Sequence, residues 1–245
     1  MGIDMEKMRA RRVALDNKGG NREVFWRPQD GETTIRIVPT PAGDPFRDYW
    51  LHYNLGNNPG FLSPKKNFGE EDALDGFIRK LYKEGTEESI KMAKSLSARQ
   101  RFYTSVVVRG EEDKGVRVWS FGKMAYEKLL NLILNPEYGD ITDSETGTDL
   151  VIRYGKPAGA SFPQTEITPR RRPSPLCEDG AQCAEWLDSI PDFDSLFNRK
   201  TPEEVEAILD EYLSGNADDN SSDNVEKYSV ESGDSVDKAF SELLS

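Results

Sequence analysis

Histidine occurs once in the 245 residues, at His52, and cysteine twice, at Cys177 and Cys183. One histidine excludes a multi-histidine metal centre, and a Ser-His-Asp triad would have to be built around His52 alone. In a reducing compartment two cysteines are expected as free thiols rather than a bridge. Long apolar runs are absent as well. No stretch approaches the roughly 20 residues that span a bilayer, so no membrane partner is expected. Met1 to Gly20 has charges but no apolar core of the kind that marks a secretory signal. The chain is therefore expected in a cytoplasm. Apolar residues make up 36% and charged residues 31%, which supports a modest core and a large solvated fraction. No phosphate-cradling glycine loop is present, and no metal-ligand spacing carries chemistry. The acidic runs Glu70-Glu71-Asp72 and Glu111-Glu112-Asp113 read as a helix start and a turn. No enzymatic activity is expected.

Positive charge is scarce overall, with a net charge of −12, but it is unevenly spread. Residues 1–175 carry 28 Lys and Arg against 25 Asp and Glu, a balance of +3. Residues 176–245 carry 4 against 19, a balance of −15. A mildly basic body with an acidic end is the pattern of a polyanion-binding domain with an acidic tail, or of a body with a solvated extension.

The sequence divides into a basic arm over 1–21, a core over 22–175, an acidic helical segment over 176–213 and an acidic tail over 214–245. The arm holds Lys7, Arg9, Arg11 and Arg12 and reads as mobile. In the core, Thr33 to Val38 and Tyr49 to Tyr53 read as strands, and Asp72 to Lys94 as a helix broken at Gly85. Arg101 to Arg109 and Val116 to Phe121 read as a hairpin. Lys123 to Leu134 is a helix stopped by Pro136. Leu150 to Tyr154 and an irregular Ser161 to Ile167 close the series. The fold class expected is mainly β with helical insertions (α+β), with a small barrel of the OB type as its core. Thr201-Pro202-Glu203-Glu204 opens a helix that runs to about Leu213. Asn216 to Asp234 is polar and Ser-rich and is predicted to be disordered. Val236, Phe240, Leu243 and Leu244 share one helical face and form either a partner motif or a frayed end.

Two features would let a surface bind single-stranded nucleic acid: cations for the phosphates and exposed rings for the bases, the latter contributing about 1–3 kcal/mol per base. Alternation in the hairpin puts Arg101, Tyr103 and Arg109 on one strand face and Arg117, Trp119 and Phe121 on the other strand's corresponding face. These six are expected to share one surface, extended by Lys123 and Tyr126 from the following helix. Arg153, Tyr154, Arg170, Arg171 and Arg172 are further candidates, the last three being either a solvated loop or a backbone-tracking stripe. Trp26, Tyr49, Trp50 and Tyr53 divide between a second wall and the core.

Residues from about Arg99 to Leu134 resemble the single-stranded DNA-binding (helix-destabilising) protein of T-even-type bacteriophages. The stretches Phe102-Tyr103-Thr104-Ser105-Val106-Val107-Val108, Lys114-Gly115-Val116-Arg117-Val118-Trp119-Ser120-Phe121-Gly122-Lys123 and Tyr126-Glu127-Lys128 carry the likeness. A weaker match extends from Val24 to about Pro175. The resemblance implies an OB-fold core, a basic arm for self-association along DNA and an acidic C-terminus that recruits replication and recombination proteins. It also implies a cytoplasm of an infected bacterial host. That family holds a structural zinc with one His and three Cys, in the region matching about 50–95 here. His52 remains, but Ser63, Asp72 and Asp75 stand where thiolates are implied. Structural zinc prefers sulfur and imidazole. No cofactor is therefore expected, and packing of Leu74, Phe77 and Ile78 is expected to hold the subdomain. The function expected is non-sequence-specific binding of single-stranded DNA during phage replication, recombination and repair. The alternative is an OB-type adaptor of a replisome that binds nucleic acid only weakly.

Overall fold

The structure, a computed structural model, describes residues 24–214 apart from Asn57, Pro59 and Asn198. The arm cations Lys7, Arg9, Arg11 and Arg12 and the terminal Val236, Phe240, Leu243 and Leu244 lie outside the described residues, as does the segment predicted to be disordered. The described residues form two units, one of residues 24–48 and 101–196, the other of residues 49–100 and 197–214.

The described residues hold eight strands in one sheet and six α-helices, a mixed α/β fold. The strands are β1 (Phe25–Trp26), β2 (Gly31–Ile37), β3 (Phe46–His52), β4 (Phe61–Leu62), β5 (Arg99–Val108), β6 (Arg117–Phe121), β7 (Leu150–Gly155) and β8 (Gln164–Pro169). The helices are α1 (Pro64–Phe68), α2 (Ala73–Glu84), α3 (Glu87–Leu96), α4 (Lys123–Ile133), α5 (Gly180–Asp188) and α6 (Pro202–Leu213). Sheet order is β1-β6-β5-β2-β7-β8, with β3 paired to β4 and β5. No pairing among the described residues joins β8 to β1, so the sheet is not closed. None of the described helices is long and apolar enough to cross a membrane.

In the first unit β5 is central, paired on one side with β2 and on the other with β6. Phe102 to Val108 are buried without interruption. That is the signature of a strand covered on both faces rather than a half-exposed one. One face meets a core of Trp26, Ile35, Ile37, Phe102, Val106, Trp119, Phe121, Leu129 and Ile152. The opposite face packs Val38 and Val107 against Leu176 and Trp186. Trp26 and Tyr49 are buried, whereas Trp50 and Tyr53 are half-buried.

The described residues of the second unit carry α1, α2, α3 and α6 together with β4 and the inner ends of β3 and β5. Its helices start where short polar side chains satisfy free backbone N–H groups. Ser63 Oγ accepts from Lys66 N at 3.3 Å, Asp72 Oδ1 from Asp75 N at 2.7 Å and Thr86 Oγ1 from Ser89 N at 3.1 Å. Gly85 ends α2 at φ 75°, a left-handed conformation that glycine adopts without steric cost. Thr201 and Glu204 form a reciprocal capping box, with Pro202 in the first helical turn.

The expected boundary at residue 176 is corrected by packing. Val205, Ile208 and Leu209 of α6 are buried with Leu74, Ile78, Leu81, Ala93 and Leu96 of α2 and α3. The segment 176–213 is thus no single element: residues 176–196 belong to the first unit and α6 to the second. Leu74 and Ile78 are buried as expected, and Phe77 is partly buried against them.

Truncating Leu209 to Ala should destabilise the second unit by about 2–5 kcal/mol, the usual cost of emptying a buried leucine site. Hydrogen exchange resolved by peptide should show the loss across 73–96 and 202–213. Unchanged protection there would mean that α6 is not part of that core.

Candidate nucleic-acid interface

The hairpin register decides which of the expected side chains meet. Phe102 pairs with Phe121, Tyr103 with Ser120, Thr104 with Trp119 and Val106 with Arg117. Directly opposed residues in an antiparallel pair point to the same face. Tyr103 therefore faces away from Trp119, and Arg101 away from Arg117. The expected shared surface of Arg101, Tyr103, Arg109, Arg117, Trp119 and Phe121 does not exist, which corrects the reading made from strand alternation.

Trp119 is 1% exposed and meets Trp26 edge-on, with ring centroids 5.7 Å apart. Phe121 is buried and packs edge-on against Phe46. Both are core residues, so neither offers a ring to a base. Arg117 is also largely buried and donates to Glu111 Oε2 at 2.7 Å. Hydrogen bonds from Lys114 and then Arg117 hold the Glu111 carboxyl below the usual carboxylate range. Tyr103 is 3% exposed and lies edge-on to Phe25. Arg101 is half-buried over Ser120, reaching its Oγ at 3.3 Å.

Arg109 is committed elsewhere. Its Nε and Nη2 donate to Asp149 Oδ2 and Oδ1 at 3.1 and 2.9 Å. Its Nη1 and Nη2 donate to the Leu176 and Pro175 carbonyls, both at 2.8 Å. Arg36, fully buried, donates to the same Asp149 Oδ1 at 3.0 Å and to the Ser174 carbonyl. Burial pushes the Arg36 guanidinium below its ordinary value, and Asp149 opposes that shift. Neither Arg36 nor Asp149 is among the candidates drawn from the sequence. The available signal was a cation between Ile35 and Ile37 in a strand, where it must point away from the apolar face.

Lys123 is exposed beside Glu127, and Tyr126 is half-buried, stacked on Phe102 with centroids 3.9 Å apart. Burial, and then Asp44 and Asp48, raise the Tyr126 phenol above its ordinary value. Arg153 is exposed but paired with Glu32 and, at 3.7 Å, with Glu166. Tyr154 is half-buried opposite Thr165.

The cations best placed for an external anion follow β8, the last strand of the sheet order. Arg170, Arg171 and Arg172 are all exposed. Arg170 reaches Thr34 Oγ1 at 3.2 Å, whereas Arg171 and Arg172 form no ion pair among the described residues. The β7–β8 connection adds an exposed Lys156 and Phe162, the latter 48% exposed. Phe162 was missed because an irregular strand was assigned there.

Around His52 the donor set does not fit the structural zinc that the resemblance implies. Its Nδ1 donates to the Leu96 carbonyl at 2.8 Å. Ser63 and Asp72 are helix caps, and Asp75 pairs with Arg79 at 3.1 Å. Among the described residues no three His, Cys, Asp or Glu side chains converge as a metal would require. Cys177 and Cys183 form a disulfide with Cα atoms 5.7 Å apart, correcting the expectation of free thiols. The separation lies within the range a bridge requires.

An open cleft of about 350 Å³ in the second unit is lined by Glu71, Asp72, Arg79, Glu203 and Glu206. Its charge suits a cationic partner and repels phosphate. No protein-family model matches the chain, and no curated protein matches it.

Burial lowers the His52 pKa, against the Leu96 carbonyl and the Asp72 and Asp75 charges that raise it. The unfolded chain then binds the extra proton first as pH falls below about 6.5, the ordinary histidine value. The stabilisation is complete above that pH and is lost as pH falls through the folded value. Urea midpoints measured from pH 8 to 5 should therefore fall less steeply for His52→Gln than for the unsubstituted chain. Parallel curves would show that His52 does not titrate differently in the folded state.

Proposed function

We propose that the chain binds single-stranded DNA without strong sequence preference, in the manner of the T-even-type phage helix-destabilising proteins that its hairpin region resembles. The observation that carries this reading is the exposed Arg170-Arg171-Arg172 run at the end of β8, with Lys156 and Phe162 in the adjoining connection. Phosphates would lie along the arginines, and Phe162 would offer a stacking surface. The +3 and −15 charge split supports the same reading. An acidic C-terminus competes with phosphate for these cations and is released for replication proteins once DNA is in place. On this reading the arm cations serve self-association, and the apolar residues Val236, Phe240, Leu243 and Leu244 serve partner recruitment.

The binding face proposed is not the hairpin. Trp119 and Phe121 belong to the core, so DNA contact moves to the β7–β8 side of the sheet. Arg101 and Tyr103 stay outside that face.

A second reading, a protein-interaction adaptor with weak nucleic-acid affinity, is favoured by the acidic cleft beside α6 and by Met124 and Leu134, which are 75% and 77% exposed.

Reversing two charges, R171E with R172E, separates the readings. Fluorescence anisotropy with labelled oligo(dT) across a salt series should show weaker binding of the variant. The slope of log affinity against log salt should fall by roughly one per lost phosphate contact. Unchanged affinity and slope would reject the proposed face. Weak binding by the unsubstituted chain, insensitive to salt, would favour the adaptor.

A further inference from the structure

Residues 174–190 form a strap over the second face of the first unit's sheet. Its carbonyls at Ser174, Pro175 and Leu176 occupy donors of Arg36 and Arg109. Its Leu176 and Trp186 are buried on Val38 and Val107. The strap pairs with no strand, and its helix α5 has only nine residues, too few to be stable by itself in water. The Cys177–Cys183 bridge spans a sequence separation of 6 and ties α5 back to the preceding segment. Both cysteines pack against the Leu176–Trp186 cluster and are half-buried, within reach of a small thiol.

We propose that the Cys177–Cys183 disulfide is a redox latch that holds this strap shut over Arg36 and Arg109, and that its reduction opens an anion-binding face. The reductant is a dithiol. One of its thiolates attacks a bridge sulfur, forming a mixed disulfide and releasing one cysteine thiolate. Its second thiolate then displaces the other cysteine as the dithiol closes its own disulfide. The dithiol gives up two electrons and two protons, and Cys177 and Cys183 end as thiols. The closed bridge restricts the open strap far more than the closed one, so breaking it raises the open population. Arg36 and Arg109, relieved of the three carbonyls and still sharing the one carboxylate of Asp149, keep an excess positive charge that would suit a phosphodiester backbone. That choice of ligand rests on the DNA-binding reading, whereas the latch does not.

Hydrogen exchange of the full chain, before and after dithiothreitol, tests the latch without DNA. Amides of 176–188 should exchange at least about tenfold faster after reduction, with those of 102–108 unchanged. Arg109 should become more reactive toward phenylglyoxal, read by peptide mapping. The variant C177S/C183S should match the reduced chain with or without dithiothreitol. Equal strap exchange in both redox states would overturn the proposal. So would an acceleration spread equally over 102–108, because the bridge would then stabilise the unit rather than latch the strap. Oligo(dT) affinity that rises on reduction would support the anion-binding face. Faster strap exchange with no oligo(dT) binding in either state would reject the DNA-binding reading and leave the latch standing.

Discussion

Asp149 is the only carboxylate shared by two guanidiniums among the described ion pairs, and the second face of the first unit is arranged around it. Arg36 cannot reach water and Arg109 only in part, so their charge must be balanced inside. Burying two cations costs several kcal/mol each unless a counter-charge and enough acceptors stand ready. Asp149 supplies the counter-charge, and the 174–176 carbonyls supply the acceptors. The loop before β7 is shaped to deliver that carboxylate. Asp143 Oδ1 accepts from the Glu145 and Thr146 N–H groups at 2.9 and 2.7 Å, and those bonds hold its carboxyl below the usual range. At Gly147 a Cβ would collide with the backbone oxygens of Asp143 and Ile141. Ser174 N then donates to the Gly147 carbonyl at 3.0 Å and Leu176 N to that of Ser144 at 2.8 Å. Loop and strap are thus bound to each other as well as to the arginines.

This network explains why the charge-bearing strand positions are not a nucleic-acid channel. A guanidinium on a sheet is available to phosphate only if no nearer acceptor claims it. Arg36, Arg109 and Arg117 are all claimed, by Asp149, strap carbonyls and Glu111. Of the cations expected to meet nucleic acid, the exposed Arg171 and Arg172, which form no ion pair among the described residues, lie past the end of β8, where the chain leaves the sheet. With the strap closed, anion contact on this account sits where the sheet ends, and the sheet interior provides rigidity.

Element positions were legible because local chemistry sets them. The alternation around Ile35, the glycine stop of α2 and the Thr201-Pro202 cap of α6 each act within a few residues. The face of each hairpin residue was not legible. A shift of one residue in strand pairing exchanges the two faces. Here odd-numbered positions of β5 share a face with even-numbered positions of β6, a parity set by the turn around Glu112–Lys114. Burial on both sides of β5 removes the one clue that would have fixed it, since neither of its faces is polar. Packing partners distant in sequence were equally hidden. Val205, Ile208 and Leu209 show an apolar stripe, but nothing local says that α2 and α3 cover it. The bridge between Cys177 and Cys183 was hidden because compartment arguments speak to redox chemistry and not to the distance between two backbones.

The most direct measurement is the unfolding free energy of Asp149→Ala, taken from denaturant titration at pH 7. Removing the shared carboxylate leaves two guanidiniums short of their counter-charge, and a loss of about 3–5 kcal/mol is expected. A loss below about 0.5 kcal/mol, the size of an ordinary surface substitution, would contradict the organising role given to Asp149.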